Sequence, residues 1–168
     1  TYLDKDSPLF SDAVTVSPYL GFGSLRPALD AAAVSGAGVF VLALTSNPEG
    51  AEVQRATAAD GRSLAQLMLD HMAAENEGAT PLGSVGAVVG ATLGDAGVDL
   101  AINGPLLAPG IGAQGATPAD LPAVFGDAVG NVVPSVSRGV LRHGPDASGL
   151  REAAGRFADE VRAAVSGS

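Results

Sequence analysis

The 168-residue chain carries 18 acidic and nine basic residues, for a net charge of -9 and a pI near 4.4, and its basic residues form no patch of the kind that grips a phosphate backbone. Its 46% hydrophobic content and mean hydropathy of +0.29 exclude a disordered chain, and no run reaches the roughly 18 apolar residues of a membrane span. With no cysteine there is no disulfide framework, thiolate metal site or thiol nucleophile.

No signal-peptide pattern opens the chain. The expectation is one globular, cytoplasmic domain without nucleic-acid or membrane partners. The chain opens on Thr1 rather than methionine, which predicts that something upstream was removed, processed or left out. Arginine supplies every basic residue but Lys5.

In chain order, DAVTVSP (12–18) reads as a short strand ended by proline, and SLRPALDAAAVSG (24–36) as a helix. GVFVLALTSNP (38–48) is a continuous apolar run, too short for a helix of ordinary length, that ends in turn residues. DGRSLAQLMLDHMAAENEG (60–78) places Leu64, Leu67, Met68 and Met72 at helical spacing, with Asp60 as expected N-cap and Gly78 as expected stop. SVGAVVGAT (84–92) reads as a strand, and GDAGVDLAING (94–104) has room for a short helix. PLLAPG (105–110), PADLPAVFGDAVG (118–130), NVVPSVSRGVL (131–141) and GLREAAGRFADEVRAAVSG (149–167) follow as strand, helix, strand, helix.

Five strands alternating with five helices predict a parallel α/β sheet covered by helices. Length favours a doubly wound sheet of flavodoxin type over a (β/α)8 barrel, which needs roughly 250 residues. In either architecture ligands bind where the strands end, so the loops SPYLGFG, TSNPEG, GATLG, PGIGAQG and SRG form one surface.

PGIGAQG offers unshielded backbone amides and the side-chain amide of Gln114, and SRG offers Arg138 at the end of the last strand. Bare amides beside a guanidinium fork suit a phosphate dianion, because the fork bonds two oxygens at once and the amides take the rest. Each has a plainer reading, the glycines as a tight turn and the arginine as a solvated charge, and their occurrence on consecutive βα units brings a phosphate site level with those readings. Ser46 reads as a turn-forming serine ahead of Asn-Pro. His71 and His143 have no partner ligand at metal-binding spacing and read as structural or solvated. Asp4-Lys5-Asp6 reads as a solvated segment.

Five stretches in order, VTVSPYLGFGSL (14–25), VLALTSNPEG (41–50), VGAVVGAT (85–92), LAPGIGAQGATPADL (107–121) and VVPSVSRGVL (132–141), resemble the later strands and loops of orotidine 5′-phosphate decarboxylase in its longer bacterial form. The resemblance implies a (β/α)8 TIM-type barrel to which this chain supplies roughly the fourth to eighth βα units, as a single domain, with three units upstream of Thr1. It replaces the length-based preference for a doubly wound sheet. It also implies conversion of orotidine 5′-phosphate to uridine 5′-phosphate in pyrimidine biosynthesis, with no metal or other cofactor, by a homodimer.

Residue by residue, Gln114 resembles the glutamine that contacts the phosphate from the closing loop, and Arg138 the phosphate-binding arginine. Ser137 resembles the residue whose backbone N–H faces the phosphate, and Ser46 the serine that bonds the pyrimidine ring and the glutamine. The family's reacting groups, an Asp-x-Lys-x-x-Asp motif completed by an aspartate of the partner subunit, have no counterpart here: Lys5 sits in Asp4-Lys5-Asp6-Ser7-Pro8, where the spacing fails at both acids. No residue of this chain is therefore assigned a catalytic role, and the chain alone is expected to be inactive. Two other readings stand beside this one, a non-catalytic half-barrel that binds phosphate ligands and another phosphosugar barrel enzyme. A fragmentary barrel would expose strand edges, so the upstream segment, or a second chain, is expected to cover them.

Overall fold

The computed structural model describes residues 1–112 and 114–166. Five parallel strands, β1 (Ala13–Val16), β2 (Gly38–Leu44), β3 (Val85–Val89), β4 (Leu106–Ala108) and β5 (Val132–Pro134), form one sheet in the order β1-β2-β3-β4-β5. That order decides between the two architectures. A doubly wound sheet reverses its strand order at a switch point. Here the order never reverses, and right-handed crossovers then put every connection on one face. The sheet is part of a (β/α) barrel, and the preference drawn from length is overturned.

The strand register sorts the side chains onto two faces. Val14, Val39 and Val85 are successive register partners, as are Val41, Ala87, Leu106 and Val132. Val39, Val41, Ala87 and Leu106 are buried in one cluster with Leu29, Leu69, Met72, Leu121 and Phe125 from the connecting segments. The alternate residues, Thr15, Phe40, Leu42, Leu107 and Val133, face the other way and are half-buried or exposed, with Val133 45% accessible. This second face is apolar, and β1 and β5 each present an unpaired edge within the described residues.

The helices are α1 (Arg26–Ser35), α2 (Ala51–Gln54), α3 (Leu64–Glu75), α4 (Leu121–Phe125), α5 (Arg138–Leu141) and α6 (Ala147–Ser166). Several limits differ from those expected. The cap of α3 is Ser63, whose Oγ accepts the Gln66 amide at 3.1 Å, whereas Asp60 accepts from Arg62 Nε at 2.9 Å. The helix ends at Glu75 with Asn76 as its cap, two residues before Gly78.

GDAGVDLAING forms no helix. Gly94 and Gly97 take positive φ, Asp95 and Asp99 accept the amides of Gly97 and Ala101, and the Asp99 amide donates to Gln66 Oε1 of α3 at 2.8 Å. Short aspartate-to-backbone bonds of this kind compete with helical ones. The expected helix over 118–130 breaks into short turns around α4, ending at Gly126 (φ 49°). The expected strand over 131–141 stops at Pro134, so Arg138 opens α5 rather than closing β5.

At the amino-terminal ends of the strands one buried side chain ties three segments together. Asn76 Nδ2 donates to Val85 O (2.7 Å) and Ile102 O (2.8 Å), and its Oδ1 accepts the Val85 amide (3.2 Å). Only glycine fits beside it, since a Cβ at Gly83 would lie 1.9 Å from its Oδ1 and one at Gly104 2.5 Å from its Nδ2.

Candidate functional site

All five strands run parallel, so their carboxyl ends and following loops share one rim. Backbone bonds join the first residues of these loops to neighbouring strands: Gly90 N donates to Leu44 O, Ala91 N to Pro109 O and Ser135 N to Ala108 O, each at 2.9 Å. The loops therefore start from fixed positions, and the polar groups they carry are placed by the sheet.

The β4–α4 loop explains its own glycines. Gly110, Gly112 and Gly115 have φ of 106°, 81° and 102°, values at which a side chain is strained. The loop turns back on itself, with Gly112 N donating to Ala116 O at 2.7 Å and Gly115 N to Gly112 O at 3.0 Å. Ala113 lies outside the described residues. The turn then enters a capping box at Thr117, one residue before the expected helix over 118–130. The Thr117 amide and hydroxyl donate to Asp120 Oδ2 at 2.7 and 2.8 Å. These two bonds, the amide first, hold the Asp120 carboxyl below the usual carboxylate range.

The β5–α5 loop meets this turn through Val136. A Cβ at Gly139 would lie 2.9 Å from Val136 Cγ2, and one at Gly112 3.8 Å from the same methyl. Between the two loops lies a cavity of about 630 Å³ lined by Gly112, Arg138, Gly139, Leu141 and Arg142. The Arg138 guanidinium is exposed and forms no ion pair among the described residues. Ser137, also exposed, accepts the amides of Val140 and Leu141 on its carbonyl. The structure thus brings the glycine turn and Arg138 to one cavity, with Ser137 beside it.

Gln114 and Ser46 lie farther along the rim. Gln114 folds back over its own loop, so that a Cβ at Gly110 would lie 3.1 Å from its Oε1 and 3.6 Å from Thr92 Cγ2. Ser46 sits over the end of β3, its amide nitrogen 3.2 Å from where a Cβ at Gly90 would stand. No hydrogen bond joins Ser46 to Gln114 among the described residues.

The Ser46 loop is braced from behind by residues that motif reading missed. Gln54 accepts the Thr45 amide on Oε1 (2.9 Å) and donates from Nε2 to Thr45 Oγ1 (2.8 Å), while Thr45 Oγ1 also bonds Asn47. An amide eight residues beyond Ser46, in a stretch to which the sequence assigned no element, gave no signal there.

The other residues singled out fall elsewhere. His71 stacks on Phe22, ring centroids 5.0 Å apart, and with Arg156 His143 lines an adjoining cavity of about 240 Å³, which shares Gly112, Gly139 and Arg142 with the larger one. Lys5 is exposed in the amino-terminal segment. Among the described residues no three His, Cys, Asp or Glu side chains cluster as metal ligands would, and no helix is long and apolar enough to cross a membrane.

Residues 2–153 match the model of the orotidine 5′-phosphate decarboxylase / HUMPS family. The chain is 72% identical to orotidine 5′-phosphate decarboxylase of Streptomyces coelicolor, covering 100% of this chain and 61% of that protein. It is 62% identical to the enzyme of the same name from Salinispora arenicola, covering 99% and 60% respectively. A crystal structure assigned to orotidine 5′-phosphate decarboxylase from Streptomyces avermitilis superposes with a TM-score of 0.93 at 75% identity, covering 96% of this chain and 57% of that one. Leishmania donovani UMP synthase matches at 31% identity with a TM-score of 0.68, over 94% of this chain and 34% of that one. The chain thus spans about 60% of the length of the curated relatives it matches.

Proposed function

We propose, from the premise that this chain belongs to the orotidine 5′-phosphate decarboxylase / HUMPS family, that the whole protein converts orotidine 5′-phosphate to uridine 5′-phosphate. The observation that carries this reading is the meeting of the Gly110–Gly115 turn with Arg138 around one cavity, joined by Val136. The positive-φ glycines let the backbone approach a ligand closely, and an unpaired guanidinium in a protein of net charge -9 is suited to an anion.

In this reading Arg138 forks two phosphate oxygens, and the Ser137 amide takes a third. Gln114 reaches from the turn to the phosphate, and Ser46 bonds the pyrimidine. Breaking the bond to the carboxylate carbon releases carbon dioxide and leaves the bonding electron pair on the ring carbon, which then takes a proton. This chain's residues hold the two ends of the nucleotide so that binding energy far from the reacting bond is available to the transition state. The lysine and aspartates that act on the bond reside in the portion of the relatives' length that this chain does not span. The same portion covers the apolar face of Phe40, Leu42, Leu107 and Val133 and the edges of β1 and β5. The complete enzyme is a cytoplasmic homodimer.

Turnover by the full-length protein, followed through ultraviolet absorbance as the orotate ring becomes uracil, tests the reading. Conversion of orotidine 5′-phosphate with no added metal or cofactor is expected. A folded full-length protein that binds uridine 5′-phosphate without turnover would instead favour a non-catalytic phosphate-ligand-binding role.

A further inference from the structure

Arg142 is the charged residue of the Arg138 cavity left without a role. The chain has twice as many acidic as basic residues, 18 against nine, so a cavity lined by two guanidinium groups and no carboxylate stands out. Arg26, Arg62, Arg156 and Arg162 all form ion pairs. Arg55, Arg138, Arg142 and Arg151 form none among the described residues, but of these four Arg138 and Arg142 line the cavity, and they stand four apart. The Arg142 amide donates to the Arg138 carbonyl at 3.2 Å, so both side chains leave the same side of α5. Like charges at that spacing repel. Both line the cavity of about 630 Å³ against Gly112 and Gly139. The arrangement costs folding free energy unless something anionic lies between the two guanidinium groups.

A phosphate monoester near neutral pH carries close to two negative charges. Arg138 alone balances one of them. We propose that Arg142 is a second phosphate-binding arginine, which clamps the nucleotide's phosphate from the side opposite Arg138 and sets the preference of the site for a dianionic monoester over an uncharged nucleoside. This rests on the assignment of the phosphate to the Arg138 cavity. The side chain is exposed and supports no buried group, so removing it leaves the fold intact. The other charged groups near it are His143, Arg156 and Glu160, which line the adjoining cavity. Arg156 is already paired with Glu152.

The test uses the full-length protein and two probes, uridine 5′-phosphate and uridine, with binding measured by calorimetry. Arg142→Gln is expected to weaken uridine 5′-phosphate at least about tenfold, the size of one charge-assisted contact, and to leave uridine within about twofold. Arg142→Lys, which keeps charge but not the fork, is expected to fall between. The melting temperature of Arg142→Gln without ligand should equal or exceed that of the parent, because a repulsive pair is relieved.

Arg138→Ala separates the two assignments. If it weakens uridine 5′-phosphate while Arg142→Gln does not, the Arg142 inference is overturned and the phosphate site stands. If neither substitution discriminates between the two probes, the placement of the phosphate fails and the inference with it.

Discussion

Replacing Asn76 with alanine removes a bracket whose worth can be worked out from its bonds. The side chain is 1% accessible, donates to Val85 O and Ile102 O and accepts the Val85 amide. Each such bond contributes about 1 kcal/mol net, but truncating one partner leaves the others buried and unpaired at about 1–3 kcal/mol each. Two carbonyls and one amide are stranded. Some water enters the space left between Gly83 and Gly104, so the loss is about 3–5 kcal/mol rather than the full sum. At about 2–4 °C per kcal/mol this lowers the melting temperature by roughly 6–20 °C.

Asn76→Asp keeps the shape but faces two carbonyls with a carboxyl group. Burial raises the folded pKa of that group above its unfolded value, so the variant loses stability, relative to the parent, as pH rises from about 4 toward neutrality. Thermal unfolding of the full-length protein at pH 4.5 and 7.5 reads both effects. A drop of less than about 2 °C for Asn76→Ala, or an Asp variant whose deficit does not grow with pH, would show that Asn76 does not hold the strand ends together. Because the bracket lies at the opposite end of the strands from the candidate site, ligand affinity well below the melting temperature should not change.

Arg138→Ala in the full-length enzyme should raise KM for orotidine 5′-phosphate by at least about tenfold while leaving uridine binding unchanged; equal losses for both would remove Arg138 from the phosphate. Gly86→Ala sets a Cβ 2.5 Å from Pro105 O and 2.6 Å from the Phe40 ring, and should cost about 1–3 kcal/mol in chemical denaturation; a variant as stable as the parent would contradict that close packing. Gly112→Ala, at φ 81°, should weaken uridine 5′-phosphate more than it lowers the melting temperature, because it strains a turn on the rim and not the core. Asp120 has a depressed carboxyl, so the stabilisation from its bonds to Thr117 is present above the unfolded value and lost as pH falls through the lower folded one. The Thr117 amide resonance should titrate with a midpoint below the usual carboxylate value, and a midpoint at or above it would show that the capping box is not populated.

The sequence by itself determined which segments are strands, because each is a short apolar run cut off by glycine, proline or asparagine, and that pattern depends only on neighbours along the chain. The capping box of Thr117 with Asp120 is local in the same way, spanning three residues, though the expected helix began at 118. The sequence also brought forward Ser46, Gln114, Ser137 and Arg138 through five motifs in order. Interactions between distant segments were not legible there. Length favoured a doubly wound sheet, and only the unbroken β1-β2-β3-β4-β5 order excluded it, since strand order is a matter of which crossovers pack side by side.

The cap of α3 at Ser63 instead of Asp60 was decided by Arg62, which claims Asp60, and the absence of a helix over 94–104 by Gln66, which holds the Asp99 amide. The glycines of PGIGAQG looked like room for a ligand, yet the structure requires them first for a backbone with three positive φ angles. Arg142 could not be singled out while 131–141 read as one strand. Once β5 stops at Pro134 and α5 begins at Arg138, the two arginines come to one side of a helical turn, and the cavity between them becomes visible.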